Sequence, residues 1–500
     1  MSGNVDVYRL EERFAAKWSG REDTHCIWWQ GHWWSWNRLN DLVSDCEDKL
    51  KSAGFERGQR IAALLPNSPV TIALAIACWR LEGAFAPLNA RTGVENLLST
   101  IEMLDVHAVF VMEDKFLSAA KAAEAKGIPV AAAGLDKPLE RWRGRRGVPE
   151  HEKYAIIFST SGTSGLPKAV PCSHSNLLSN IDSMTVHVPG LIEYSSVFLN
   201  VLPNFHTLGF NIACMLPLLS GIRQAVLPSF VPVEATVDAI KTSGTNCIIA
   251  VPTVISFILG TLEKTGERLD GIKLVISGGD RLSAETDLRC RRCLGVGILE
   301  GYGLTECSPV VAVGHSIETA RLGAVGQICD GYDFEIRDMN GNKLDPHDEG
   351  VLWVKGPSVV DGYFRDKAST MERFSDGWFN TGDVVKIDDD GYMRIVDRAT
   401  DIIIVGGFNV YPQEVEAVLS KHPAVLSAIA VGERNSVTGE IVKAFVIPRE
   451  GHAVTARELM AYCKERLAHY KTPRKIAFVS EFPVSQSGKI LRRELRNIKI

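Results

Sequence analysis

Short apolar runs, separated by enough chain to form helices, constrain what this chain can fold into more than any other feature. Residues 60–65 (RIAALL), 108–112 (AVFVM), 154–158 (YAIIF), 247–251 (CIIAV) and 273–277 (KLVIS) are too short for buried helices. They also lack the strict alternation of a strand with one wet face. Strands apolar on both faces, with helical stretches between several of them, form mostly parallel sheets covered by helices. At 500 residues the chain exceeds one ordinary core, so at least two domains are expected.

Near residue 320 the texture changes. Asp361-Gly-Tyr, Asp376-Gly-Trp and Asp390-Gly-Tyr recur at close spacing, turn chemistry that predicts a hairpin-rich β region over about 320–397. Beyond Asp397-Arg398 the pattern predicts a helix over 411–420, strands over 427–431 and 443–448, and a helix over 455–467. That last portion, about 100 residues, suits a small separate α+β domain. The fold class is therefore α/β. A large N-terminal domain of mostly parallel sheets carries a β-rich subdomain and is followed by a small C-terminal α+β domain.

Composition narrows the function classes. A net charge of -5 and the lack of a basic run interleaved with aromatics argue against nucleic acid. The most basic stretch, RWRGRR at 141–146, reads as an exposed loop. The start, MSGNVDVYRLEERF, has neither the charged nor the apolar region of a signal peptide. No window reaches the ~18 apolar residues of a membrane span; the nearest, 70–81, is broken by Trp79-Arg80. A cytoplasmic location is expected. The eleven cysteines fit it as buried small hydrophobes, and the lone Cys290-Arg-Arg-Cys293 reads as structural.

The chemistry begins at residues 159–170, STSGTSGLPKAV, straight after the apolar run 154–158. Backbone N–H groups of a Gly/Ser/Thr turn cradle phosphate oxygens, hydroxyls add donors, and a lysine adds a point charge. It is not a Walker A loop, because Pro167 precedes Lys168 and Ala169 stands where Ser or Thr would hold a cation. A loop of this composition also serves as a plain flexible turn, so these residues alone leave both readings open.

The order Ser161-Gly-Thr-Ser-Gly-Leu-Pro-Lys168 resembles the signature loop of the adenylate-forming superfamily. That superfamily includes acyl- and aryl-CoA synthetases, peptide-synthetase adenylation domains and luciferases. Gly301-Tyr-Gly-Leu-Thr-Glu306 resembles its YGxTE motif, and Thr381-Gly-Asp383 its TGD. Asp397-Arg398 resembles the hinge, 406–416 the glycine motif after it, and 483–489 the C-terminal lysine motif. Six motifs in order cover the chain from about residue 30 onward. The resemblance implies an N-terminal domain over 1–397, a hinge at 398–400 and a mobile C-terminal domain over 401–500. It also implies ATP, Mg²⁺ and coenzyme A as cofactors. The implied reaction has two halves: a carboxylate attacks the α-phosphate to give an acyl-adenylate and pyrophosphate, then a thiol displaces AMP. Charge spreads over a phosphoryl group, so such a reaction needs electrostatic clamps.

By that resemblance Thr160, Ser161, Gly162, Thr163, Ser164 and Lys168 hold the β- and γ-phosphates. Thr305 bonds the α-phosphate region, and Glu306 is the Mg²⁺ ligand. Tyr302, between Gly301 and Gly303, stacks on adenine, with Gly279 on the other side. Asp383 accepts from the ribose hydroxyls, a task for an acceptor-only side chain. Arg398 lies near ribose and phosphate, and Lys489 bridges the attacking carboxylate and the α-phosphate. Gly406 and Gly407 line the pantetheine path, where a missing Cβ permits close approach. Isolated, a Thr-Glu pair caps a helix, a Tyr between glycines fills a core, and a Gly-Lys near the end is solvated. The motifs together reverse those readings. One position departs from the family: the usual Asp or Lys of the hinge is Thr400, which does not lock φ as proline would.

For the acid, Leu202-Pro-Asn-Phe-His-Thr-Leu-Gly-Phe210 resembles the PxFH motif of the fatty-acid branch, which makes Phe205 and His206 an expected gate. Residues 299–311 are also most similar to fatty-acyl-CoA and acyl-carrier-protein synthetases. No acid lies between Asn204 and Phe210, and a buried ammonium without a carboxylate is costly, so an α-amino acid is disfavoured. Val251, Gly278, Gly303 and Leu304 complete an expected pocket that is apolar or small, suited to an alkyl chain or a ring. The expected catalytic residues are Lys489, Thr305 and His206, and the expected partners are a small carboxylic acid and CoA. The expected acid is a medium- or long-chain fatty acid. The alternatives are an aryl-acid–CoA ligase and a fatty acyl-AMP ligase that loads an acyl carrier protein. A P-loop NTPase and an inactive acyl-binding relative are weaker readings from other classes.

Overall fold

The computed structural model describes residues 9–112, 117–137, 139–140, 144, 154–160, 168–193, 196–406, 408–435, 438–484 and 490–498. The chain packs into two compact units. The first comprises Met1–Phe334, Val354–Phe379 and Asp389–Met393; the second comprises Glu335–Trp353, Asn380–Asp388 and Arg394–Ile500.

The predicted apolar runs form the middle of two sheets in the first unit. One sheet has six strands in the order Val130–Ala132, Ala108–Val111, Arg60–Leu64, Ala84–Pro87, Tyr154–Thr160, Lys168–Ser173. It is parallel except for its last pair. The other has nine strands. Its parallel middle runs Ile298–Gly303, Leu274–Gly278, Cys247–Ala250, Val197–Asn200, Arg223–Val226, His25–Trp29. Antiparallel strands finish each end: Val310–Val313 and Gln327–Ile328 on one side, His32–Ser35 on the other.

Helix Pro69–Arg80 fills the interior of this unit, with every residue but Arg80 buried. Its start is fixed by Pro69 in the first turn and by Ser68, whose hydroxyl accepts from the Thr71 N–H at 3.2 Å. Near its end, Trp79 donates its indole N–H to the Ala155 carbonyl at 2.7 Å. The Phe210 ring lies 6.1 Å from Trp79, 6.1 Å from Phe85 and 6.0 Å from Phe158, so one aromatic cluster ties this helix and the segment Leu208–Met215 to the six-stranded sheet. All eleven cysteines are buried and free, as expected, with Cys290 and Cys293 on helix Ala284–Leu294.

Of the three Asp-Gly signals, Asp376-Gly377 is a two-residue hairpin turn (φ 53° and 79°) joining Phe374–Ser375 to Trp378–Ile387. Asp361-Gly362 is no hairpin; it leads into helix Lys367–Arg373, whose N-cap Asp366 accepts from the Ser369 N–H at 3.0 Å. In the second unit, Val425–Asn435 and Gly439–Pro448 pair antiparallel along their length, and Lys475–Phe478 joins the latter in parallel. Helices Pro412–Leu419 and Ala456–Lys464 bury Val415, Leu419 and Leu459 in one core with Val442, Ala444 and Val446. This is the predicted α+β arrangement. Among the described residues, no helix is long and apolar enough to cross a membrane.

Trp79→Ala removes the largest side chain of the aromatic cluster and leaves the Ala155 carbonyl without its donor. A loss of about 3–5 kcal/mol in unfolding free energy is expected, read by chemical denaturation of the full chain.

Candidate functional site

Three parallel strands, Cys247–Ala250, Leu274–Gly278 and Ile298–Gly303, end side by side. The carboxyl edge of such strands is where open α/β sheets take ligands. Gly278 pairs with Gly301 here, and a Cβ on Gly278 would sit 3.2 Å from the Gly301 oxygen and 3.8 Å from the Leu208 side chain. Gly279, at φ +84°, faces the Val251 side chain, which lies 3.6 Å from where its Cβ would be. The expected residues Val251, Gly278, Gly279 and Gly301 therefore come together. Leu208, which the sequence did not single out, belongs with them.

At Gly303 the sheet turns antiparallel, and a Cβ would stand 2.1 Å from the Pro309 oxygen, so only glycine fits. The turn between them carries Thr305 and Glu306 on a single 3₁₀ turn, Thr305–Cys307. Ser308 closes it at φ +69°, a conformation unfavourable for a residue with a side chain. Two buried asparagines and the half-buried Tyr332 hold this turn. Asn180 donates to the Val310 carbonyl at 2.8 Å and the Cys307 carbonyl at 3.2 Å, and accepts from the Val310 N–H at 3.2 Å. Asn211 donates to the Ser308 carbonyl at 2.6 Å, and the Tyr332 hydroxyl to the Cys307 carbonyl at 2.9 Å. Isolated Asn and Tyr residues on remote elements carry no sequence signal for such a task.

Thr160 and Lys168 are paired across the hairpin Tyr154–Thr160/Lys168–Ser173, and the Thr160 hydroxyl donates to the Lys168 carbonyl at 3.3 Å. The Lys168 ammonium lies over the Tyr363 ring, 4.7 Å from its centroid. The Tyr363 hydroxyl donates to Glu306 Oε1 at 2.7 Å. Burial, with Glu306 beside it, pushes the Tyr363 phenol up. Lys168 and Glu306, far apart in sequence, thus share one neighbour. Tyr363 was read as turn chemistry; its aromatic character after Asp361-Gly362 was the only signal available.

His206 is exposed, with its ring 4.6 Å from that of Phe205. The segment before it is anchored by buried Asn67, which donates to the Leu202 carbonyl and accepts from the Asn204 N–H, both at 2.8 Å. Leu208–Met215 follows as a π-helix, a winding often found at functional sites. Tyr302 is buried, while Gly303, Leu304 and Thr305 reach the surface in part or fully. Ser161, Gly162, Thr163, Ser164, Gly407 and Lys489 lie outside the described residues.

The second unit carries Asp383, Arg398 and Gly406. Asp383 is buried, and Arg398 Nε lies 3.4 Å from its Oδ1. Thr381 accounts for the local geometry: its hydroxyl donates to the Leu352 carbonyl at 2.7 Å and accepts from the Asp383 N–H at 3.1 Å. Gly406 sits at φ +59° and donates its N–H to the Thr438 carbonyl at 2.8 Å. Next to Arg398, Asp397 accepts from the Arg398 N–H at 2.8 Å and the Gln413 N–H at 3.1 Å. Helix Arg492–Asn497 grips the following residues. Arg496 donates to the Thr400 carbonyl at 3.0 Å, and Arg492 makes a two-pronged pair with Glu416 at 2.5 and 3.0 Å. Lys443, itself buried, donates to the carbonyls of Arg496 and Ile498 at 3.2 and 2.8 Å.

For a cation, the donor set is a single carboxylate, Glu306, with one oxygen taken by Tyr363. Among the described residues no group of three His, Cys, Asp or Glu gathers to hold a metal. One carboxylate with an oxygen left over suits magnesium, which completes its shell with substrate oxygens and water.

Parallel sheets with a glycine-lined carboxyl edge, Lys168 at the start of an edge strand, and Glu306 on the turn beyond define an open-sheet α/β protein with its candidate site at the strand ends. The chain belongs to the AMP-binding enzyme family: that family's pattern matches residues 12–364, and its C-terminal domain pattern matches 414–489. A long-chain-fatty-acid–CoA ligase of Yersinia pestis is 34% identical over 348 residues, 69% of this chain but 62% of that protein. The chain thus matches less than two thirds of that relative. A feruloyl-CoA synthase of an Amycolatopsis species is 31% identical over 464 residues, 92% of each chain. Among solved structures, ATP-bound MatB from Rhodopseudomonas palustris aligns with a TM-score of 0.86 at 28% identity, over 97% of this chain and 98% of that one.

Burial raises the Asp397 carboxyl to about 6. In the folded state it keeps a proton at pH values where the unfolded chain, with a carboxyl near ~4, has lost its own. Its contribution to stability is therefore full below about pH 4 and lost as pH rises through about 6, a difference of about 3 kcal/mol. Asp397→Asn should abolish that loss. Unfolding free energies of both proteins, measured from pH 4 to 7, should show the variant gaining on the parent as pH rises.

Proposed function

We propose that this chain is an AMP-forming acid–thiol ligase that activates an apolar carboxylic acid through an acyl-adenylate and transfers the acyl group to coenzyme A. The observation that carries this reading is the convergence of Lys168 and Glu306 on Tyr363 beside the glycine-lined edge of the sheet. A lysine for phosphate and a carboxylate for a cation, next to small wall residues, is what joining ATP to a carboxylate requires.

In this reading the loop 160–168 holds the β- and γ-phosphates through backbone N–H groups, the hydroxyls of Thr160, Ser161, Thr163 and Ser164, and the Lys168 ammonium. Gly162 lets the backbone approach. Thr305 donates to the α-phosphate, where charge develops. Glu306 would hold magnesium, which when bound would supply positive charge to offset that of the phosphates. Gly301, Tyr302, Gly303 and Gly279 enclose the adenine, Asp383 accepts from the ribose hydroxyls, and Arg398 stays beside it. Lys489 draws the substrate carboxylate onto the α-phosphate. For the second half-reaction, residues 398–400 act as hinge between an N-terminal domain over 1–397 and a C-terminal domain over 401–500. Gly406 and Gly407 then line the thiol's path.

The acid we propose is a medium- or long-chain alkyl acid. Val251, Gly278, Gly303 and Leu304 offer no charge to a second polar group, and Phe205 and His206 stand at the mouth. The resemblance to the fatty-acid ligase supports this reading. An aryl acid of the cinnamate type is the second reading, favoured by the feruloyl-CoA synthase that aligns along 92% of both chains.

The test is acid-dependent pyrophosphate release from ATP and Mg²⁺, run over straight-chain acids from acetate to stearate with benzoates and cinnamates, each with and without CoA. Turnover stimulated by CoA within one window of alkyl length is expected. Release that CoA never accelerates overturns the acceptor and points to a carrier protein; no release with any acid overturns the adenylation. Lys489→Ala should lower adenylation ~10²–10³-fold, measured as single-turnover acyl-adenylate formation.

A further inference from the structure

Tyr363 meets two opposite charges through two different parts of its side chain. The O–H engages the anion: it donates to Glu306 Oε1 at 2.7 Å. The ring face engages the cation: the Lys168 ammonium lies 4.7 Å from its centroid, within cation–π range. The side chain itself is fixed. It is 6% exposed and packs edge-on against Phe374 with centroids 5.7 Å apart. Its backbone N–H donates to the Thr370 hydroxyl at 2.9 Å. The next residue, Phe364, donates its N–H to the Ala169 carbonyl at 2.8 Å, next to Lys168 on the same strand. The Val360 N–H donates to the Glu306 carbonyl at 2.9 Å, so the 354–379 segment is tied by backbone to Glu306 and to the residue after Lys168.

The chemistry of these contacts matters. A direct ion pair between Lys168 and Glu306 would neutralise both and would have to break when a nucleotide arrived. A neutral phenol avoids that. One hydrogen bond orients the carboxylate and leaves its second oxygen with full acceptor capacity. A π face holds the ammonium without using up any of its three N–H donors.

We propose that Tyr363 is a positioning residue: it holds Glu306 and Lys168 apart and in register, one oriented for a cation and the other for phosphate. This rests on the functional reading above. Hydrogen-bond partners of metal-ligating carboxylates typically matter 10–100-fold in metal affinity.

The two halves of the role separate by substitution. Tyr363→Phe keeps the ring, its packing and the cation–π contact but loses the O–H; Tyr363→Leu loses both. Binding of Mn²⁺ in the presence of a non-hydrolysable ATP analogue, followed by electron paramagnetic resonance, reads the Glu306 side. Calorimetric binding of the same analogue in EDTA reads the Lys168 side, and thermal unfolding checks each variant. Tyr363→Phe should weaken Mn²⁺ about tenfold or more and leave metal-free binding unchanged, while Tyr363→Leu weakens both. Parental Mn²⁺ affinity in Tyr363→Phe overturns the proposal, as does equal weakening of metal-free binding. If the parent protein binds neither analogue nor Mn²⁺, the functional reading itself fails, an outcome distinct from either.

Discussion

The reversal of the nine-stranded sheet at Gly303 is the constraint on which the site depends. Strand Ile298–Gly303 runs parallel to its neighbour on one side and antiparallel to Val310–Val313 on the other, and the two backbones meet where a Cβ would lie 2.1 Å from the Pro309 oxygen. That approach forces a tight turn, and the turn projects Thr305 and Glu306 past the ends of the parallel strands. Its cost falls on Ser308, at φ +69°, and on carbonyls that leave the ladder. Asn180, Asn211 and Tyr332 offset both by bonding those carbonyls from the interior. Each such bond is worth about 0.5–1.5 kcal/mol net, and more where its loss would strand a buried carbonyl.

The legible and illegible parts of this protein divide by range of interaction. Strands at 60–65, 108–112, 154–158, 247–251 and 273–277 stood out because burial on both faces writes itself into consecutive residues. The small α+β unit was legible for a similar reason, its periods being local. Motif glycines were legible because a missing side chain has few alternatives. Asn180, Asn211 and Asn67 were not, since their partners lie 20 or more residues away and an asparagine in a helix or loop has many uses. The first Asp-Gly pair misled in the same way. Asp376-Gly377 makes its hairpin, but Asp361-Gly362 looks identical in sequence and instead delivers Tyr363 to Glu306.

Charged groups are held in different ways at the two places described. Around Lys168 and Glu306, both charges meet the neutral side chain of Tyr363. In the second unit, charges meet each other: Arg492 with Glu416, Arg496 with Asp401, Lys471 with Glu414 at 2.6 Å. Such partly buried pairs fix geometry more than they add stability.

The bonds between helix Arg492–Asn497 and the rest of its unit bear on how the protein is made. Lys443 is buried with its ammonium on the carbonyls of Arg496 and Ile498, and the Thr400 carbonyl takes its donor from Arg496. This unit also includes residues 335–353, synthesised well before that helix. At ~5–20 residues per second, translation needs roughly 7–30 seconds to go from one to the other. The first unit's parallel sheets are complete in sequence by then. Until that helix emerges, Lys443 keeps its Glu433 partner, 3.3 Å away, but lacks the two carbonyls, so the buried charge of this unit is fully matched only once residues 492–498 have been made.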